Sequence, residues 1–127
     1  MTVKYSKLMT AAWRNSIEEV KRLIEQGAAV NEKNETGVTA LMSAAAKDSL
    51  ESAKMLIENG ADVNARDSGQ ATPLMYAAVR NSRKVIDLLI ERGADINAKD
   101  NDGTTVLIIA KLLQPELVEF IKKHGAK

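Results

Sequence analysis

The chain has no cysteine, a single histidine and few aromatic side chains, with one tryptophan, two tyrosines and one phenylalanine. Without cysteine, disulfides, thiolate metal sites and cysteine nucleophiles are excluded, and a reducing compartment is permitted. With His124 as the sole imidazole, near the C-terminal end, a Ser/His/Asp triad or a multi-histidine metal site has nowhere to assemble. His124 itself reads as a last-turn residue interacting with helix carbonyls. An excess of charge is also missing: 18 Lys and Arg face 17 Asp and Glu, a formal net charge of +1. No global field therefore pulls the chain towards nucleic acid or an anionic membrane. The N-terminal stretch lacks an apolar signal-peptide core, and no run is long enough to span a bilayer, so a soluble, cytoplasmic protein is expected. The scarcity of aromatics leaves Ala, Leu, Ile, Val and Met to build the interior, which suits closely packed helices.

What is present is a period. At 127 residues, 45% hydrophobic and 28% charged, the chain has the size and composition of one globular domain. Gly27-Ala28 recurs as Gly60-Ala61 and Gly93-Ala94, a step of 33 residues. The same step carries Val30-Asn31 onto Val63-Asn64 and Ile96-Asn97, and Leu8 onto Leu41, Leu74 and Leu107. Residues 1–127 thus read as one domain of four repeats, at approximately 1–33, 34–66, 67–99 and 100–127.

Each repeat resolves into helix, turn, helix and projecting loop. Ser6, Thr39, Thr72 and Thr105 precede the shared leucines by two and supply a hydroxyl at a helix start, with Pro73 where a first-turn proline is tolerated. The Ala-rich stretches that follow, such as Leu41 to Lys47, are too short to stand alone and must be held by neighbours. A second stretch is amphipathic, with Ile17, Val20, Leu23 and Ile24, or Val85, Leu88 and Leu89, at helical spacing. It stops at Gly27, Gly60, Gly93 and Gly125, and turn-forming stretches such as Asn31 to Gly37 follow.

These residues resemble the ankyrin repeat, most closely at Thr72-Pro73-Leu74-Met75-Tyr76-Ala77-Ala78 and at Leu88-Leu89-Ile90-Glu91-Arg92-Gly93-Ala94-Asp95-Ile96-Asn97-Ala98. Almost the whole chain is covered. The resemblance implies an all-α solenoid of antiparallel helix pairs with β-hairpin-like loops to one side, and a concave binding face made of loop tips and first helices. The residues themselves lead to the expectation of no enzyme activity and no cofactor, because no nucleophile, acid/base pair or metal site assembles. Met9, Met42, Met75 and Ile108 stand where the family has histidine, so packing must replace that side chain's hydrogen bond. In the third repeat Gln70 occupies the slot of Gly37 and Gly103, which leaves the shape of that loop open. The fourth repeat is one residue short near Gln114-Pro115, where Pro115 suits the first turn of the last helix.

A solenoid must cover the apolar faces of its terminal repeats. Arg22 takes the place of Met55 and Leu88, marking an N-terminal cap. Lys111 replaces Ala45 and Ala78, and Lys122 replaces Ile57 and Ile90, marking a C-terminal cap, although Val106 to Ile109 remain apolar.

No catalytic or metal-binding constellation emerges. Asp100-Asn101-Asp102-Gly103 looks faintly like a calcium loop, but Ala98 and Ile109 stand where ligands are required, so it reads as a turn. Glu18, Glu51 and Glu91 read as solvated surface on the second helices.

The repeat register also yields columns expected to face a partner. Arg14, Lys47 and Arg80 form a basic row able to contact an acidic peptide or phosphates. Beside it runs an apolar row of Trp13, Ala46, Val79 and Leu112, with Tyr76 and Ile109 one row inward and the Tyr76 hydroxyl expected to be exposed. The loop tips, including Glu35, Val38 and Asp102, vary while the framework does not. A monomeric module binding a protein or peptide is the leading expectation. The alternatives are nucleic-acid or other polyanion binding through the basic row, against which the near-neutral charge counts, and an engineered or structural scaffold without a natural ligand.

Overall fold

The computed structural model describes residues 4–127; Met1, Thr2 and Val3, assigned to the first repeat from the sequence, lie outside the described residues. Four helix pairs follow one another. They are α1 (Lys7–Trp13) with α2 (Ile17–Glu25), α3 (Ala40–Ala46) with α4 (Leu50–Glu58), and α5 (Pro73–Arg80) with α6 (Arg83–Glu91). The last pair is α7 (Val106–Leu113) with α8 (Val118–Lys123), joined through a 3-10 turn, Pro115–Leu117. No strand occurs among the described residues, and the architecture is all-α as expected.

The first helices begin where a hydroxyl satisfies an orphan amide. The side chains of Ser6, Thr39, Thr72 and Thr105 accept from the backbone N–H of Met9, Met42, Met75 and Ile108 at 3.1, 3.3, 3.4 and 3.3 Å. At seven or eight residues these helices cannot hold themselves, and stacking supplies the difference. α1 packs on α3, α3 on α5 and α5 on α7, while α2, α4 and α6 form a parallel outer layer. Ala12, Ala45 and Ala78 are wholly buried between first helices, small enough to let the backbones approach. Met9, Met42 and Met75 are also buried, so packing does replace the missing histidine bonds at those positions. Ile108 is 41% exposed, because among the described residues no further first helix packs over it.

Each second helix ends on a left-handed glycine, Gly27, Gly60, Gly93 or Gly125, with φ from 91° to 103°. The residue after it bonds back five positions, as in Ala94 N–H to Leu89 O at 2.9 Å. The loops are hairpin-like without strand pairing. Asn34, Asp67 and Asp100 each close their turn by donating N–H to Val38, Ala71 and Thr104 O at 3.1, 3.0 and 3.0 Å. Their side-chain oxygens accept two further loop amides each. Asp100 is thereby occupied within its own turn. Gln70 adopts φ 68° and makes the same bond to Asp67 O that Gly37 makes to Asn34 O, so the third loop keeps the shape of its neighbours.

The short fourth repeat has a specific origin. Asn15, Asp48 and Asn81 turn the chain between paired helices with φ of 54°, 59° and 62°. The fourth repeat lacks this left-handed residue, and Pro115 instead opens the 3-10 turn that runs into α8. Gln114 reaches back to Val79 O at 3.0 Å, much as Ser49 reaches Trp13 O at 3.1 Å.

Charged residues stand at the end faces where apolar ones stand inside. Arg22 is exposed and bonds Glu19 and Gln26, and Lys111 and Lys122 are exposed. His124 places Nδ1 2.8 Å from Phe120 O, the helix-carbonyl contact expected of it, and Nε2 3.1 Å from Asp87 Oδ1. It thus ties α8 to α6.

Candidate functional site

The first helices present one face to solvent, and its relief follows from side-chain volumes at equivalent positions. One row runs Trp13, Ala46, Val79; the adjacent row runs Thr10, Ser43, Tyr76. In both, the second repeat carries the smallest side chain, so α3 is recessed between α1 and α5. The result is a hollow of about 380 Å³ walled by Tyr5, Trp13 and Tyr76, floored by Met9 and Met42, and edged by Val38. Helical spacing aligns the walls: Met9 and Trp13 lie four apart on α1, as Met42 and Ala46 do on α3.

Trp13 is 46% exposed and stands at the hollow's edge. The Lys47 ammonium lies 5.7 Å from the centroid of its ring, a cation–π contact. Tyr76 is half-buried, and its hydroxyl donates to Asp67 Oδ2 at 2.7 Å. The loop that carries Asp67 bends back over α5 and supplies an acceptor that helical spacing does not reveal. Burial, then the Asp67 hydrogen bond, raises the Tyr76 pKa well above its usual value.

The basic row is exposed at Arg14, Lys47 and Arg80. Among the described residues, the ion pairs are Arg22 with Glu19 and His124 with Asp87, and none involves this row. Arg14 also borders a more polar depression at the N-terminal end of the stack, beside Lys7, Glu19 and Arg22. Glu35 at the second loop tip accepts from the Lys4 N–H at 2.8 Å. Its own N–H, then that of Lys4, holds its carboxyl below the usual carboxylate range. The Glu35 side chain therefore fastens the segment before α1.

Val79, at 51%, and Leu112, at 76%, are exposed, and Asp102 lies exposed at the fourth loop tip. None of these three lines the hollow, which gathers Trp13, Val38 and Tyr76 with Lys47 beside Trp13. Tyr5, Met9, Thr10, Met42 and Ser43 line it without having been singled out for binding. A signal for Tyr5 existed, since it lies one repeat step before Val38.

A search of curated proteins finds no match. Among the described residues no helix is long and apolar enough to cross a membrane. The family model for ankyrin repeats, three copies long, matches residues 8–100 and again 68–127. With these overlapping matches running through all four helix pairs, the chain belongs to the ankyrin-repeat family, whose members are generally non-enzymatic protein–protein interaction modules.

Proposed function

We propose that residues 1–127 act as one monomeric domain that binds a partner protein or peptide through the concave face formed by first helices and loop tips. Trp13, Arg14, Lys47, Tyr76, Val79, Arg80 and Leu112 form the contact surface, flanked by Glu35, Val38 and Asp102. The observation that carries this reading is the hollow beside Trp13, an open recess bordered by the exposed Tyr5 and Trp13 rings and by Tyr76. Aromatic side chains next to basic ones in a recess are the usual anchors of an interface. Stacked repeats hold such a recess rigid, so binding needs little ordering of the module.

The test is affinity capture from the native host's lysate, comparing the wild type with a variant carrying Trp13→Ala, Lys47→Glu and Arg80→Glu whose helical spectrum is unchanged. A protein retained by the wild type and lost by the variant supports the reading. Retention of salt-sensitive nucleic acid alone, or no difference between the two proteins, overturns it.

A further inference from the structure

We propose that the hollow between Trp13 and Tyr76 is a specificity pocket for a partner segment that inserts one large apolar side chain and sets a carboxylate beside it against Lys47 and Arg80. The proposal rests on the concave-face reading above and names the chemistry of the segment bound there.

The shape selects the anchor. A volume of about 380 Å³ lies at the low end of ligand pockets, which run from roughly 300 to 1,000 Å³. It suits one side chain and its adjoining backbone. Beneath it lie the buried Met9 and Met42, so the bottom of the recess is apolar and carries no charged group. Three of the chain's four aromatic side chains, Tyr5, Trp13 and Tyr76, converge on this one recess.

The charge selects the neighbour. An aromatic-walled recess can also cage a cation, but here the Lys47 ammonium already lies over the Trp13 ring and would repel one. Two nearby carboxylates already accept internal hydrogen bonds, Asp67 from the Tyr76 hydroxyl and two loop amides and Glu35 from the Lys4 amide, and neither pairs with Lys47 or Arg80 among the described residues. Lys47 and Arg80 stand one repeat apart, separated by about 10 Å if the helices pack normally. They remain exposed and form no ion pair among the described residues. A carboxylate on the partner is the complementary group. A polyanion would satisfy the basic row alone and leave the recess unfilled.

The experiment pans a short random-peptide display library against the intact immobilised protein at physiological salt. Enriched peptides are then synthesised with a fluorescent label and titrated by anisotropy. The expected result is a shared Phe, Leu, Ile or Met with Asp or Glu close by in sequence. Ala46→Leu, which fills the recess from the half-buried C-terminal end of α3, should weaken these peptides about tenfold or more. Trp13→Ala, which removes a wall, gives the same test should Ala46→Leu fold poorly. Lys47→Glu with Arg80→Glu should weaken the acidic peptides but not versions carrying Gln or Asn in place of the acid.

Failure of the pocket and failure of the concave-face reading are distinguishable. Peptides without the motif that are lost in the Trp13→Ala, Lys47→Glu, Arg80→Glu variant would overturn the pocket and leave the face intact. Peptides that survive that triple variant would overturn both. No enrichment, or tighter binding of labelled heparin than of any peptide, would overturn the pocket.

Discussion

The side-chain amide of Asn64 donates to the carbonyl of Gly93, the glycine that ends α6, across 3.0 Å. Its oxygen accepts the Asp95 N–H at 2.8 Å, so one asparagine grips both sides of the next repeat's helix end. Asn31 holds Gly60 and Asp62 in the same way, and Asn97 holds Gly125 and Lys127. These bonds join each repeat to its successor at the glycine turns, through the carbonyl of the glycine itself rather than those of the helix, which the capping amides already engage. Asn64→Ala should therefore cost about 1 to 3 kcal/mol, from two lost bonds of roughly 0.5 to 1.5 kcal/mol each. Chemical denaturation measures it. A cost near zero would mean that water replaces the asparagine without loss.

Gln70 and Gly37 share a left-handed slot but not its surroundings. A Cβ on Gly37 would lie 2.7 Å from the Ser68 nitrogen, whereas Gln70 already carries one at φ 68°. Gln70→Gly should relieve backbone strain and stabilise the protein by up to about 1 kcal/mol, after the greater flexibility of unfolded glycine is subtracted. Gly37→Ala should destabilise by about 1 to 3 kcal/mol. Melting curves of the two variants check the opposite signs.

How much of this was legible in the sequence depended on whether a feature repeats. The four leucines, the hydroxyl caps and the closing glycines recur at one spacing, so period and element order could be read directly. The Asn31, Asn64 and Asn97 column was visible as register, yet its bonds run to the following repeat, and a column does not say which way a side chain points. The missing residue of the fourth repeat was visible as a count; that it is the left-handed position shows only beside Asn15, Asp48 and Asn81. The hollow was hardest to see. Ala46 reads as one member of the apolar row, and a small side chain such as Ala46 or Ser43 becomes a recess only when its neighbours in space, Trp13 and Tyr76, are large.

Leu56 and Leu89 are both wholly buried, in adjacent second helices at equivalent positions. Truncation of either to alanine should cost about 2 to 5 kcal/mol through lost contacts and a residual cavity. In a repeat stack such losses act on the interfaces with both neighbours. Urea titration followed by helical signal provides the measurement. A cost below about 1 kcal/mol would show that the stack collapses around the gap.

The Tyr76 hydroxyl gives a prediction with a defined sign in pH. The pKa of this group lies above its ordinary value of 10.0, first because burial disfavours the phenolate and then because Asp67 accepts its proton and repels the ionised form. A raised pKa in the folded state means that the contribution is fully present below the unfolded value and is lost as pH rises above 10.0. With Tyr5→Phe leaving Tyr76 as the only tyrosine, an absorbance titration should show no phenolate at pH 10.0 while the protein stays folded. Stability should decline on the alkaline side of that value. Tyr76→Phe should abolish this alkaline component and at neutral pH cost about 1 to 3 kcal/mol, because Asp67 loses a charge-assisted partner. Ionisation of Tyr76 near its ordinary value in the folded protein would instead mean that the Asp67 bond is open in solution, and with it one wall of the recess.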